Sequence, residues 1–449
     1  MSEASAPAEP LENPSAAAPA APRPGGPWRA VRRFLLDPRT VGVAQAGPRA
    51  ASFLARSWSY SRGGGPPGHP LAEAGVQPSV GLAAQVLLDE VLISAMRNPR
   101  LFPRGDDYRR AGDEIAAARA LWQERGWLAD PGAYHREPAA PSKVAVRAES
   151  TLGQRFETVS FPSDYEPWPD EPGRDRWLGR AANRTAHAYV VRHRRRDRPW
   201  LVCIHGFGTG RAALDLRAFR ARHLARDLGL NLLLPVLPVH GPRQEPGAET
   251  GEGFMSVNLV DSVHGLAQSA WDVRSAIRWI RSQAGEVPVG IYGISLGGYV
   301  TALTASVEDG LACAIAGIPA TDMPDLYRRH SPPVVRRRAM EAGALGPDAD
   351  AVCSVVSPLV LAPRVPFERR YVFAGLGDRM SNFDQAHRLW LHWGRPRRAW
   401  YPGGHIGFFL AAGVGDFIDA ALAECGLTGT APAPAGPPAG DPPTAWLSP

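Results

Sequence analysis

"GIYGISLGGYV", residues 290–300, places Ser295 between Gly293 and Gly297, directly after an apolar run and directly before a helical pattern. Gly293, Ile294, Ser295, Leu296 and Gly297 spell G-x-S-x-G, and a strand before it and a helix after it make the arrangement of a nucleophile elbow. Such a turn drives the serine into an unfavourable backbone conformation, which small neighbours permit by letting other backbone segments come close. Gly298 extends that clearance. The competing reading is an ordinary hydroxyl where a strand meets a helix, and the rest of the chain has to decide between them.

Outward from this stretch, short apolar or aromatic runs alternate with amphipathic helical patterns. "KVAVRAE", "QRFETVSF" and "AHAYVVRHR" come first, as three strands separated by turn residues. "PWLVCIHG" (199–206) then reads as a buried strand, "LDLRAFRARHLARDLG" (214–229) as a helix, "LNLLLPVLP" as a strand and "VHGLAQSAWDVRSAIRWIRSQ" (263–283) as a long helix. After the elbow follow strand "LACAIAG", a long insertion, strand "RRYVFAG" (369–375), helix "FDQAHRLWLHW", strand "RRAWYP" and a last helix from about 406 to 424. Strands alternating with helices imply a mostly parallel sheet covered on both faces, and the early strands imply an antiparallel edge on it. The expected fold is α/β, with a sheet of about eight strands over residues 143–426.

Residues 27–142 read as an N-terminal helical extension. "GLAAQVLLDEVLISAMRN" and "DDYRRAGDEIAAARALWQERGW" are its clearest helices, and a unit this small needs the sheet domain as a packing partner. Upstream, "WRAVRRFLLD" (28–37) sets apolar and arginine residues on different sides, which fits either a helix docked on the protein or a peripheral membrane contact. The ends, 1–26 and 427–449, are Ala/Pro/Gly-rich and lack apolar periodicity, so they are expected to be disordered.

A nucleophilic serine needs a base, and the base needs an orienting carboxylate, in the chain order Ser, Asp or Glu, His for this architecture. "VFAGLGDRM" sets Asp378 just past a strand, and "WYPGGHIGFF" sets His405 in a Gly-rich loop before the final helix. Asp322 and Asp325, in "AGIPATDMPD", are the rival acids, whereas His387 and His392 lie within a helical pattern and make poorer bases. An oxyanion needs two N–H donors. The backbone of Leu296 offers one, and "IHGFGTG" (204–210) offers the other at Phe207, with His205 and Gly206 shaping the loop. In "VHGPRQEPGAETGEGFMS" (239–256), His240 and Arg243 are open to substrate contact or to a structural role in the loop.

With those motifs in hand, residues 199–424 resemble the α/β-hydrolase superfamily. "LDLRAFRARHLARDLGLNLLLPVLPVHGPR", "GISLGGY" and "YPGGHIGFF" are similar to the α/β-hydrolase-domain-containing proteins of type eighteen. The resemblance implies hydrolysis of an ester, thioester or amide through an acyl-enzyme, with no metal or organic cofactor, and it names no substrate. It also implies a lid in the insertion at 319–368. There Met323, Leu326, Tyr327, Val334, Val335 and Met340 either line an apolar acyl pocket or bury the lid against its neighbours. The expectation is a carboxylesterase or lipase-like serine hydrolase, Ser295, His405 and Asp378 forming its triad, acting on a small ester or lipid-like substrate. An acyltransferase with the same triad and a non-catalytic binding protein are the alternatives.

Composition narrows the field. The 449 residues are 44% hydrophobic with 13 Trp, enough for a full core, and the formal charge is +6. Lys143 is the only lysine, so the positive balance reflects an arginine bias. Clusters at 192–198 and 334–340 come without the aromatic platform or module of a nucleic-acid binder, and no nucleic-acid partner is expected. Cys203, Cys313, Cys353 and Cys425 are widely spaced, without metal-ligand or redox spacing, as expected of free thiols in a reducing, cytoplasmic setting. No basic-then-apolar leader opens the sequence, and no apolar run approaches the roughly 20 residues of a transmembrane helix.

Overall fold

A computed structural model describes residues 38–96, 103–195 and 197–429. The segment 1–26, the stretch 28–37 and the C-terminal segment beyond Gly429 lie outside the described residues.

Nine strands form one sheet: β1 (Ala145–Thr151), β2 (Gln154–Pro162), β3 (Thr185–Val191), β4 (Trp200–Ile204), β5 (Asn231–Val236), β6 (Val289–Ile294), β7 (Ala314–Gly317), β8 (Arg370–Gly375) and β9 (Arg397–Tyr401). Their order is β1-β2-β3-β5-β4-β6-β7-β8-β9. From β1 to β5 the pairs are antiparallel, and from β5 to β9 they are parallel. The sheet is thus the expected mixed one, with nine strands in place of about eight. The outermost, β1, is largely exposed and is held by a tight hairpin in which Leu152 (φ 48°) and Gly153 (φ 74°) both adopt the left-handed backbone that matches strand twist.

The longer helices are α1 (Pro38–Ser61), α2 (Val80–Met96), α3 (Gly105–Glu124), α4 (Ala212–Ala218), α5 (Leu259–Ala284), α6 (Leu296–Val307), α7 (Met323–His330), α8 (Pro333–Glu341), α9 (Pro347–Cys353), α10 (Phe383–His392) and α11 (Ala412–Glu424). Side-chain alternation along the strands sends residues to two separate cores. Val202, Ile204, Ile291, Val372 and Ala374 face one cluster. Leu201, Cys203, Tyr292, Tyr371 and Phe373 face the other. The first core is covered by α5 and α6 and by the N-terminal helices, through Phe53, Leu82, Val86, Ile115 and Trp122. The second lies under α4 and α11, through Leu216, Val414, Ile418 and Leu422. Two-sided burial explains why the parallel strands read as continuous apolar runs.

Local departures from the sequence reading have local causes. The helix expected over 214–229 stops after Ala218, because Arg220 takes φ 47° and pairs with Asp419 of α11; a π-helical turn, His223–Asp227, follows. The last helix begins as a short 3-10 turn, His405–Phe409, and resumes as α11. An additional helix, α1, packs on α2 through a stripe of small and apolar residues, Ala46, Ala50 and Phe53, although its sequence holds Pro48.

The insertion at 319–368 folds into α7, α8 and α9. Met323 and Leu326 are core residues and Tyr327 and Val335 pack against that core, whereas Val334 and Met340 are exposed. The N-terminal helices pin this insertion: a Cβ on Gly112 of α3 would lie 1.7 Å from the Ala342 carbonyl oxygen, and Arg119 pairs with Asp348 at 3.0 Å. Among the described residues no helix is long and apolar enough to cross a membrane, and no group of three His, Cys, Asp or Glu stands ready to hold a metal.

One core shared by sheet and N-terminal helices makes an experimental demand. Trp122 is fully buried in it, with its Nε1–H donated to Glu171 at 3.3 Å. Trp122→Ala is expected to lower stability by about 3–5 kcal/mol. In chemical denaturation, hydrogen-exchange protection of α3 and of β6 should be lost together; α3 opening alone at lower denaturant would show that the helices form a separate unit.

Candidate active site

Ser295 sits where β6 turns into α6, at φ 57°, ψ −118°, a conformation that L-residues seldom adopt. Two close approaches enforce it. A Cβ on Gly293 would lie 2.1 Å from the Gly297 carbonyl oxygen, and a Cβ on Gly297 would lie 1.9 Å from that of Ile204. The Ser295 N–H donates to Gly317 O at 2.9 Å, and its carbonyl accepts from Ala320 at 3.2 Å, so β7 braces the turn. The side chain is only partly buried, at the carboxyl end of the parallel strands.

Asp378 and His405 follow β8 and β9, the next strands but one and but two along the sheet. His405 Nδ1 is 2.7 Å from Asp378 Oδ2, and both side chains are buried. The other carboxylate oxygen of Asp378 accepts N–H groups from Met380 (2.8 Å), Ser381 (2.9 Å) and Asn382 (3.4 Å), a backbone nest that holds the acid in one orientation. With Nδ1–H committed to Asp378, Nε2 is the atom left to accept a proton, and no hydrogen bond to it occurs among the described residues. Burial alone pulls the imidazole pKa down. The Asp378 charge, its hydrogen bond and the nearby charge of Asp89 together outweigh that and hold His405 above its ordinary value.

The rival acids are occupied elsewhere. Asp322 caps α7 through the Asp325 N–H at 2.9 Å and pairs with Arg388 at 2.8 Å, while Asp325 pairs with Arg329 at 2.8 Å. His387 lies beside Glu73, and His392 bonds Leu361 O.

Across from the elbow, Gly206 comes close enough that a Cβ on it would stand 3.3 Å from Ser295 Cβ and 3.9 Å from Oγ. Phe207 follows it directly. Among the described residues, neither the Phe207 nor the Leu296 N–H is spent on a turn or side-chain hydrogen bond. The loop carrying Phe207 is tied down: Thr209 Oγ1 donates to Gly206 O at 2.9 Å, and Tyr189 OH donates to Gly210 O at 3.1 Å. His205 is part of this scaffold. Its Nε2 accepts the Leu237 N–H at 3.0 Å, which leaves Nδ1 to donate to Gly206 O at 2.7 Å. His240 is fully buried, with Nδ1 on Pro238 O and its ring edge-on to Phe207; burial first, and then the neighbouring His205 and Arg243, push its pKa down to about 3. It is a neutral aromatic wall beside the loop. Arg243, also fully buried, donates to Val236 O and Asn183 O and pairs with Asp272 at 2.8 Å, which is the structural role of the two left open. Tyr327 packs on the main core from the 319–368 insertion.

Sequence reasoning passed over two residues from α2. Asp89 Oδ2 accepts the backbone N–H of His405 at 2.7 Å and that of Arg379 at 3.0 Å, and Gln85 Oε1 accepts that of Gly404 at 2.9 Å. Burial raises the Asp89 pKa to about 6, with the Asp378 charge adding to the rise against the pull of His405 and the two N–H donors. The available signal was the pair Asp89-Glu90 at the centre of the apolar run "VLLDEVL". Two adjacent acids in a helix otherwise fit for a core need partners.

Comparison with known proteins places this geometry in context. A family profile described as alpha/beta hydrolase domain containing 18 matches residues 180–322. An uncharacterized protein of Mycobacterium tuberculosis (strain H37Rv) is 40% identical over 402 residues, spanning 88% of this chain and 94% of that one, and a counterpart in strain CDC 1551 matches to the same extent. Among solved structures, the chain is similar to an acetyl xylan esterase from Paenibacillus sp. R4 at 16% identity, over 65% of this chain and 99% of that one, with a TM-score of 0.45. It is similar as well to acetyl xylan esterase 1 from Thermoanaerobacterium sp. JW/SL YS485 at 15% identity, over 68% and 93% of the two chains, with a TM-score of 0.45.

The close approaches at the elbow grade the cost of a methyl group. Gly297→Ala meets backbone atoms that cannot yield and is expected to lose about 3 kcal/mol or more. Gly206→Ala meets the Ser295 side chain at a distance that a shift of a few tenths of an ångström relieves, so its melting temperature should stay within a few degrees of the parent. Thermal melts of the two variants check the ranking, and a Gly297→Ala protein as stable as the parent would refute the constraint.

Proposed function

Residues 180–322 match the α/β-hydrolase-domain-containing-18 family, and from that premise we propose that the chain is a serine hydrolase of the α/β-hydrolase superfamily, cleaving esters through an acyl-enzyme on Ser295. The carrying observation is the buried His405–Asp378 pair at 2.7 Å, reached by the same sheet edge that presents Ser295 on its strained turn.

In this reading His405 Nε2 removes the Ser295 hydroxyl proton as Oγ attacks the ester carbonyl carbon. The carbonyl electron pair moves to oxygen, and the N–H groups of Phe207 and Leu296 receive the oxyanion. Collapse of the tetrahedral intermediate breaks the bond to the alcohol, which takes the proton from His405 on leaving. Water then attacks the acyl carbon while His405 takes one of its protons, and the second collapse breaks the acyl–Oγ bond, frees the acid and returns that proton to Ser295. Asp378 keeps the ring in the tautomer with Nδ1–H and stabilises the imidazolium formed at each transfer. Turning the ring is prevented by the backbone nest around Asp378 and by the hydrogen bonds of Tyr401 OH to Gly404 O and of Gly377 N–H to Gly403 O.

A fluorophosphonate probe tests the reading directly. The full chain is expected to be labelled on one residue, and Ser295→Ala is expected to abolish labelling; a labelled Ser295→Ala protein, or a folded parent that stays unlabelled, would sink it. Hydrolysis of short aryl esters is the matching activity, and product analysis with and without an added alcohol separates hydrolysis from acyl transfer.

The acid carries its own prediction. His405 must be neutral to act as base, so kcat/KM should rise with pH through the His405 ionisation, which lies above its ordinary 6.5. Asp378→Asn removes the charge that holds it there. The rising limb should move to lower pH while kcat falls on the order of 10⁴-fold. An unmoved limb in a pH-rate profile of the variant would exclude Asp378 as the acid.

A further inference from the structure

Five residues of α2 meet the loops that carry the base and the acid: Leu82, Gln85, Val86, Asp89 and Glu90. Their spacing of i, i+3, i+4, i+7 and i+8 is one helix face. Leu82 and Val86 close over the acid turn, where a Cβ on Gly377 would lie 2.5 Å from Leu82 Cδ1 and 2.8 Å from Val86 Cγ2. Gln85 and Asp89 take the backbone N–H groups of Gly404 and His405. Glu90 fixes the Arg379 guanidinium at 2.9 Å, and its other oxygen faces Arg49 of α1 at 3.4 Å.

We propose that Asp89 is a positioning residue for the reaction: through one carboxylate oxygen shared between the His405 and Arg379 N–H groups, it sets the spacing of the base loop from the acid turn and adds its negative charge to the field on the imidazole. The inference rests on the serine-hydrolase reading. Its physical basis is the flexibility of "GGH", residues 403–405. Two glycines before the base leave that loop many conformations, and a base displaced by a fraction of an ångström loses alignment with the nucleophile. Two N–H donors from different loops converging on one oxygen remove that freedom more effectively than separate acceptors. A mere staple needs no charge, because a neutral amide oxygen also accepts two N–H groups. The carboxylate is fully buried, one oxygen has no partner among the described residues, and its nearest strong electrostatic neighbours are Asp378 and His405. Tyr401 of β9 faces it as well, and the Arg379 and Arg49 guanidinium groups are engaged by Glu90. Asp89 therefore acts on His405 without a cation of its own to screen it.

The test compares the full chain with Asp89→Asn and Asp89→Ala, by the rate of fluorophosphonate labelling from pH 5 to 9 and by hydrogen exchange of the segment 403–409. Asp89→Asn keeps an acceptor oxygen and guards against loss of the fold. It is expected to label about 10- to 100-fold more slowly at neutral pH, with the midpoint of the pH profile shifted to lower pH. Asp89→Ala should add faster exchange across 403–409. Folded variants that label within threefold of the parent at an unmoved midpoint would overturn the proposal. So would slower labelling with midpoint and exchange both unchanged, which is what general destabilisation produces. A parent chain that no probe labels would instead remove the serine-hydrolase reading, and exchange would still report on the clamp: unaltered protection in Asp89→Ala would reject it independently.

Discussion

The backbone of Ser295 is the constraint on which the rest of the architecture turns. For the chain to leave β6, pass through φ 57°, ψ −118° and enter α6 at once, the Gly293 and Gly297 positions must let backbone atoms come closer than any side chain allows. The atoms that come close belong to other elements: Ile204 at the end of β4 and His205 after it, and beside Gly298, Gly317 at the end of β7 and Pro319 after it. One strained residue thus fixes the mutual heights of three central strands. Strain of this kind costs roughly 1–3 kcal/mol and persists only where surrounding structure over-determines it. Here the over-determination comes from continuous burial on both faces of β4, β6 and β7.

Charge inside the fold is handled by arginine. With a single lysine in the sequence, buried cations are guanidinium groups, whose fixed fork satisfies several acceptors at once. Arg243 ties the end of β5 to Asn183 and Asp272, and Arg274 pairs with Glu308 at 2.9 Å while reaching Arg136 O at 2.8 Å. The first of these matters at the candidate site. It holds the 239–256 loop so that His240 stands against Phe207, and the loop carrying Phe207 gains an aromatic backing that does not titrate near neutral pH.

What was legible in the sequence follows from how local the signal was. The elbow, the parallel strands and the positions of Asp378 and His405 each rest on a pattern a few residues long, and the strand-helix alternation supplies the order of loops along one sheet edge. The choice of Asp378 over Asp322 was different. Both follow strands, and only the hydrogen-bond partners separate them, Asp322 being consumed by the α7 cap and Arg388. The break at Arg220 and the helix α1 were hidden for a related reason, since an ion pair to α11 and packing on α2 are tertiary facts. Asp89 lies 316 positions before His405, so no window on the sequence joins them. Its only trace was a pair of acids in an apolar helix, which says that partners exist without saying where.

The energetics of Asp89 explain why that trace is informative. Its pKa rises from 3.8 to about 6, burial being the first cause and the Asp378 charge the second. A folded-state pKa above the unfolded one means that the native protein keeps a proton the unfolded chain releases, so stability falls as pH climbs through roughly 4 to 6. The two-unit rise corresponds to about 3 kcal/mol. His405 has linkage of the same sign at higher pH: its raised pKa adds stability that is present below about pH 6.5 and lost as pH rises through the folded value. The two groups meet in one place, and each ionised carboxylate favours the protonated ring. At neutral pH the fold therefore carries an ionised carboxylate that weakens it. On the serine-hydrolase reading the compensation is local, because the charge lies where an imidazolium would form during proton transfer, and there a negative field that destabilises the resting fold would stabilise the charge that such a reaction creates.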